Sequence, residues 1–490
     1  MAIAGPMKVT PASLAVAFLL GTASLPAAEQ VVALGDSLTF AYEASFAFTE
    51  KIFGTTYGDG FGPSVRNWIE ILSSSSYRQN SFDLGARDSI KVPAAIFPPR
   101  IATLYFRQRN NWAVPGFKVN QLRRFVSRQA TITELLAEDP DFSSLLLALN
   151  ASDFNEDTDF NVAELETQIS TIGERLTFFI GGNDINAIYG TIYNGGSPGA
   201  FVDNFIADSA FILDWALARN PSIQIAVVNL PHVGITPDVQ ATYPTDPVKT
   251  GRVTAVLNDL NTRLANLAAE RGLAYADIYT TTLSLLNPAP MCIHGLQFQN
   301  SGSTTGDLNY VWLNGPVSAN FHPNTNAQAV IANTIVDAFN RRYATGIAPL
   351  TATEMLGGLL DKSSTAIDLT YANWITNFGF PGASENSDSD GDGIPSGVEF
   401  ALGLNPSLRD SWKVSSRLVN GVSGRELEIS YPLRLTSTTR FTLLPAAATN
   451  SLASFIPFAT TPAPGADGLA RARTPATSPR AFIRLNCTLP

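Results

Sequence analysis

Between about residues 30 and 345, short apolar runs alternate with longer stretches that carry a helical pattern. Val31-Val32-Ala33-Leu34, Leu176 to Ile180 and Ile223 to Leu230 read as strands. Pro63 to Leu72, Arg252 to Arg271 and Thr325 to Tyr343 read as helices, and in the last of these Ala329, Ile331, Ile335, Ala338 and Phe339 share one face. Strands that alternate with helices predict an α/β fold with a parallel sheet. The stretch 128–170 is less regular and reads as an insertion or a lid.

The pattern changes after Tyr343. A stretch rich in small residues leads to a helix expected around Asp368 to Phe378, and then to Pro-Gly and a run of acidic residues. Beyond 412 short alternating segments predict a small, mainly β module, with strands at Arg425 to Tyr431 and Arg480 to Leu485. At the other end, Lys8 precedes the apolar run Ala12 to Leu20 and the small residues Ala23 to Ala28, as in an export signal. The expected organisation is a leader over 1–28, an α/β domain over 29–345 and a connecting stretch over 346–383. An acidic loop segment over 384–411 and a β-module over 412–490 follow.

Composition narrows the function. Charged residues make up 15% of the 490 and hydrophobic ones 45%, a globular balance with an exterior built largely from neutral polar residues. The net charge of −10 argues against a protein that grips nucleic-acid phosphates. No run after the leader is long and apolar enough to predict a membrane span. The two cysteines, Cys292 and Cys487, would either tie the C-terminal module to the α/β domain or stay free.

Four segments carry candidate chemistry. The first strand runs into Gly35-Asp36-Ser37-Leu38, which puts a serine hydroxyl and a backbone N–H at a sharp turn; an ordinary turn serine has the same local appearance. In Asn111-Trp112-Ala113-Val114-Pro115-Gly116 the glycine allows the backbone to approach a ligand and offer its N–H to an oxyanion. The run Thr177 to Ile180 ends in Gly181-Gly182-Asn183-Asp184, delivering the Asn183 amide to the sheet's C-terminal edge, where open α/β sheets bind ligands. Phe321-His322-Pro323-Asn324 precedes the last long helix, and imidazole is the side chain suited to take a proton from serine near neutral pH.

Together, in this order, these segments resemble the blocks of the GDSL, or SGNH, hydrolase family, over about 30–345. Val227 to Pro237 is also similar to a strand and loop of lipase-like members. The resemblance implies a three-layer α/β/α, flavodoxin-like domain and an acyl-transfer mechanism without a catalytic cofactor. Ser37 would be the nucleophile, His322 the base, and Ser37, Gly116 and Asn183 the oxyanion donors. Substrates would be esters of small molecules, lipids or acylated carbohydrates. The family usually has an aspartate three residues before the histidine, where this chain has Ala319. Asn314 stands near the place of that aspartate in lipase-like members; Asp307 or a backbone carbonyl would have to orient the ring instead, and Asp36 is expected to organise the serine turn. The alternative is a surface-binding protein without catalysis that works through its C-terminal module.

Asp388-Ser389-Asp390-Gly391-Asp392-Gly393-Ile394-Pro395-Ser396-Gly397-Val398-Glu399 fits the EF-hand template. Asp388, Asp390 and Asp392 occupy positions 1, 3 and 5, the Ile394 carbonyl position 7, Ser396 position 9 and Glu399 position 12. The expected ligand is a structural Ca2+ beside the β-module, the other reading being a solvated acidic linker.

Overall fold

In the computed structural model the described residues are 28–46, 62–94, 100–138, 161–315, 320–421, 424–434, 441–449, 452, 455–465, 467–476 and 480–488. Residues 1–27 of the leader, Ala319 and 139–160 of the irregular stretch lie outside them.

In chain order the α/β domain carries β1 (Val31–Gly35), α1 (Trp68–Ser73), the hairpin β2 (Arg87–Ala94) and β3 (Arg100–Gln108), α2 (Val119–Val126) and α3 (Val162–Thr171). β4 (Arg175–Phe179), α4 (Gly182–Tyr193), α5 (Phe201–Arg219), β5 (Gln224–Val228), α6 (Pro247–Glu270) and β6 (Ala274–Ala276) follow. After the small strands β7 (Met291–Ile293), β8 (Leu296–Ser303) and β9 (Tyr310–Leu313) comes α7 (Thr325–Tyr343).

The central sheet is parallel, in the order β1-β4-β5-β6. On the free side of β1, Asn111 bridges in parallel to Ala33, and the N–H groups of Trp112 and Val114 donate to Ala33 and Gly35 at 2.8 and 3.1 Å. The second motif segment is thus laid against the strand that leads into Ser37.

Side chains alternate across each strand, so the sheet needs a cover on both faces. Val32, Leu34, Leu176, Phe178, Ile225 and Val227 pack with the buried faces of α2 to α6. Val31, Ala33, Phe179, Ala226 and Val228 point the other way, against Trp68 and Ile71 of α1 and Ile331, Ile335 and Phe339 of α7. This is the three-layer α/β/α arrangement. The five residues expected on one face of α7 are all buried.

Helix starts differ from the periodic pattern where a cap intervenes. α1 begins at Trp68 rather than Pro63, because Asn67 accepts from Glu70 N–H while the Glu70 carboxylate accepts from Asn67 N–H. α6 begins at Pro247 rather than Arg252, because Asp246 accepts from the N–H groups of Val248 and Lys249 and Pro247 fits the first turn.

Beyond α7, Ile347, Leu350, Met355 and Leu356 continue the second core. α8 (Tyr371–Asn377) is tied to the β7–β8 hairpin: Asn377 Nδ2 donates to Gly295 O at 2.7 Å and Gln297 Nε2 to Asn377 O at 3.0 Å. Trp374 of α8 packs edge-to-face on Phe400 of α9 (Ser396–Leu402). Among the described residues the C-terminal module holds two three-stranded antiparallel sheets. β10 (Ser415–Gly421), β11 (Gly424–Pro432) and β14 (Leu469–Pro475) form one; β12 (Thr442–Thr449), β13 (Ile456–Pro457) and β15 (Ala481–Thr488) form the other. Leu402 and Leu404 pack with Tyr431, Leu443 and Ala472 in the core of this module. Cys292 and Cys487 are both free thiols. No helix among the described residues is long and apolar enough to cross a membrane.

Phe339 is fully buried beneath the sheet, with its ring 6.0 Å from that of Phe82. Phe339→Ala should cost about 3–5 kcal/mol in denaturant unfolding; a loss below about 1 kcal/mol would mean that α7 does not seal this face.

Candidate active site

The serine turn is built around a buried carboxylate. Asp36 Oδ1 accepts from Leu38 N–H at 3.0 Å, and Oδ2 accepts from Gly181 N–H at 3.4 Å. The carbonyl of Asp36 accepts from the N–H groups of Thr39 and Phe40, both at 3.0 Å, closing the chain around Ser37. A Cβ on Gly35 would lie 2.7 Å from the Thr39 side chain and 2.8 Å from Phe179 O, so β1 and β4 approach this closely only with glycine there. Asn67 Nδ2 donates to Phe40 O at 2.7 Å, Asn111 Nδ2 to Thr39 O at 2.9 Å and Trp68 Nε1 to Thr39 Oγ1 at 3.3 Å. As expected, Asp36 organises the turn.

The second and third segments are locked to each other. Val114 to Phe117 form a turn in which Phe117 N–H donates to Val114 O at 3.2 Å and Gly116 takes φ +79°. Asn183 Nδ2 donates to Phe117 O at 3.0 Å, which brings the Asn183 amide beside Gly116. Both oxygens of Asp184 accept from Val119 N–H, at 3.2 and 3.1 Å. Burial pushes the Asp36 carboxyl up to about 6, against the backbone N–H groups of Leu38, Gly181 and Gly182 that hold it down. Burial, with the nearby Asp36 charge, pushes Asp184 up to about 7.

His322 is held from behind. Its carbonyl accepts from Leu313 N–H at 2.9 Å and Pro323 bridges antiparallel to Trp312, so this segment lies along β9. Tyr42 OH donates to Pro323 O at 3.0 Å, Gln328 Nε2 donates to Tyr42 OH at 2.7 Å, and Trp68 N–H donates to Gln328 Oε1 at 3.1 Å. This relay joins the segment after Ser37 to α1 and α7. The Tyr42 and Phe321 rings stand edge-to-face to the His322 ring, at 6.3 and 6.0 Å. Asp307 is turned into its own loop, where Oδ1 accepts from the N–H and Nδ2 of Asn309 at 2.9 and 2.8 Å. Asn314 packs its Cβ near Gly302.

The other two imidazoles are committed elsewhere. His232 Nδ1 accepts from Gly234 N–H at 3.1 Å and Nε2 faces Thr254 Oγ1 at 3.3 Å; burial pushes it down to about 4. His294 Nε2 lies 3.4 Å from Met355 Sδ, and burial pushes it down to about 4 as well. Both rings are thus engaged away from the serine turn.

The four candidates share one pattern of exposure. Ser37, Gly116, Asn183 and His322 are each half-buried, while Asp36, Leu38, Phe117, Gly182, Asp184 and Pro323 beside them are buried. Ser37 follows β1 and Asn183 follows β4, whereas His322 lies on the segment along β9. Tyr42, Asn67 and Asp184 carry this frame and were not singled out from the sequence. Asp184 sits inside a recognised motif, but the partner of Tyr42 lies 281 residues away and has no local signal.

In the acidic loop, carboxylate oxygens of Asp388, Asp390 and Asp392 lie within 4.8 Å of one another. Glu399 is fully buried behind them, outside that tight trio. Ser396 Oγ pairs with Ser389 Oγ at 3.0 Å, and Ile394 N–H donates to Asp392 Oδ1 at 2.8 Å.

Asp36 and Asp184 give a pH signature. Both bind a proton more tightly when folded than at their ordinary value of 3.8, so the stability they contribute is complete below about 4 and is lost as pH rises through about 6 and 7. The unfolding temperature of the protein should fall across this range, and that of Asp184→Asn should fall less. Equal slopes would contradict the assignment.

A model of the GDSL-like Lipase/Acylhydrolase family matches residues 31–335, which include all four motif segments. No curated protein matches the chain. Similar solved structures include an extracellular lipase from Streptomyces rimosus, 17% identical over 64% of this chain and 100% of that one, with a TM-score of 0.32. A phospholipase A1 from Streptomyces albidoflavus is 14% identical over 64% and 100%, with a TM-score of 0.31. A carbohydrate esterase family 3 protein from Talaromyces cellulolyticus is 14% identical over 64% and 97%, with a TM-score of 0.29. The family model spans well over half of the chain, and on that match this chain belongs to the GDSL-like lipase/acylhydrolase family.

Proposed function

We propose that the protein is an exported serine hydrolase of carboxylic esters, with Ser37 as nucleophile and His322 as general base. The observation that carries this reading is the set of bonds that ties the four segments together, Gly181 N–H to Asp36, Asn183 Nδ2 to Phe117 O and Tyr42 OH to Pro323 O, with Ser37, Gly116, Asn183 and His322 each half-buried. Membership of the acylhydrolase family supports it, and the leader-like run Ala12 to Leu20 behind Lys8 supports export.

Ser37 Oγ attacks the ester carbonyl carbon as His322 takes the hydroxyl proton, and the carbonyl oxygen becomes an oxyanion. Three donors serve it: the N–H groups of Ser37 and Gly116, and the Asn183 amide. Asn183 spends one of its two amide hydrogens on Phe117 O, and the other is available for the oxyanion. Collapse breaks the bond to the alcohol, which leaves with the proton from His322. Water, deprotonated by His322, then attacks the acyl-Ser37 ester, and the acid is released. The β9 bridge and the Tyr42 and Phe321 rings help to orient the His322 ring. Esters of small alcohols, lipids and acylated sugars are the substrate class, and comparing acetyl, butyryl and long-chain esters separates them.

Hydrolysis of p-nitrophenyl acetate tests the reading. Ser37→Ala should lower kcat to the uncatalysed background, and Asn183→Ala should lower it by roughly 100- to 1,000-fold with little change in KM. Undiminished turnover in Ser37→Ala would overturn the mechanism.

A further inference from the structure

Around the acidic loop, four carboxylate oxygens are sealed from solvent without a hydrogen-bond partner: Asp390 Oδ2, both oxygens of Glu399, and Asp410 Oδ1. Glu399 is fully buried and Asp410 is 7% exposed. Leaving buried carboxylate oxygens unpaired is costly, and grouping several multiplies the cost through repulsion. The cation paired with Asp410 is shared with a second carboxylate. Lys413 Nζ stands 3.4 Å from Asp410 Oδ2 and 3.4 Å from Asp337 Oδ2 on α7, which leaves Asp410 Oδ1 unanswered.

Asp410 lies outside the twelve-residue loop, yet the segment that carries it is strapped onto that loop from both sides. Arg409 Nε donates to Asp390 O at 2.9 Å, and Ser411 N–H donates to Asp392 Oδ2 at 2.7 Å. Between these two bonds Asp410 is pressed towards Asp390, Asp392 and Glu399, whose charges act on one another. Within the loop, Asp388 Oδ1 and Oδ2 accept from the N–H groups of Gly391, Asp392 and Gly393, which curls the backbone around the acidic trio.

We propose that this is a calcium site completed by Asp410, a ligand contributed from outside the EF-hand-like loop, so that one cation joins the loop, α9 and the 409–411 segment. Asp390, Asp392, Glu399, Asp410 and the Ile394 carbonyl supply hard oxygen donors, the set that suits Ca2+, which takes about 6–8 oxygens at about 2.3–2.6 Å. Asp388 stands in the same trio and holds the loop closed. Ser396, whose hydroxyl is paired with Ser389, enters only through a water or by rotating away from that partner. Because the other oxygen of Asp410 meets Lys413, and Lys413 meets Asp337, the cation is also linked to the last helix of the hydrolase domain. The site is independent of the ester chemistry, and Ser37→Ala should bind calcium as the parent does.

The test is calorimetric titration of the chelator-stripped full chain with Ca2+, together with thermal unfolding in chelator and in excess Ca2+. One Ca2+ per chain should bind, and Asp410→Asn should weaken it by at least about 10-fold. In chelator, Glu399→Gln should unfold no lower than the parent, since it removes a buried repulsion, and Asp410→Asn should lose no more than its Lys413 ion pair. In Ca2+ both should unfold below the parent, by more than in chelator. A merely structural role would lower both variants equally in the two conditions, and that result would overturn the proposal. So would a parent chain that binds no Ca2+, or an Asp410→Asn variant of parental affinity.

Discussion

The buried carboxylate of Asp36 is the joint on which the candidate active-site edge depends. One of its oxygens fixes the turn after β1 through Leu38, and the other reaches the turn after β4 through Gly181. Parallel pairing of β1 with β4, Gly35 opposite Phe179, brings both strands to an end at the same height. Without a partner shared between the two turns, two loops at a sheet edge would each find their own conformation. The burial that pushes the Asp36 carboxyl up also removes it from water, which strengthens its bonds to the backbone N–H groups around it.

A second layer of bonds extends this frame sideways. Asp184 seizes Val119 N–H and Asn183 seizes Phe117 O, so the Gly116 turn cannot shift without moving α4. On the far side, Tyr42 leaves the serine turn and grips Pro323 O, setting the position of His322. The residues proposed to react are therefore few, small and half-exposed, while the residues that position them are buried and paired. This division lets a loop-borne site keep the fixed geometry that acyl transfer needs.

The residues proposed to react stand out in the sequence because each lies in a short contiguous motif with its own turn signal: Gly35 to Leu38, Pro115-Gly116, Gly181 to Asp184 and His322-Pro323. The positioning residues were not, because their meaning lies in distant partners. Nothing near Tyr42 announces Pro323, and nothing near Trp68 announces Gln328. Apolar periodicity placed the face of α7 correctly but missed the start of α6, where Asp246 and Pro247 outweigh the pattern. Asp410 shows the same limit in the C-terminal region. A loop template reads twelve consecutive residues and is blind to a carboxylate brought in by the bonds of Arg409 and Ser411.

The claim on which the functional account turns is that Ser37 is an activated nucleophile, and its most direct test is covalent. Treating the folded protein with a fluorophosphonate and mapping the adduct by mass spectrometry should place one phosphonyl group on Ser37, with labelling slowed severely in His322→Ala. An adduct on another serine, or labelling of Ser37 at the same rate without His322, would contradict it.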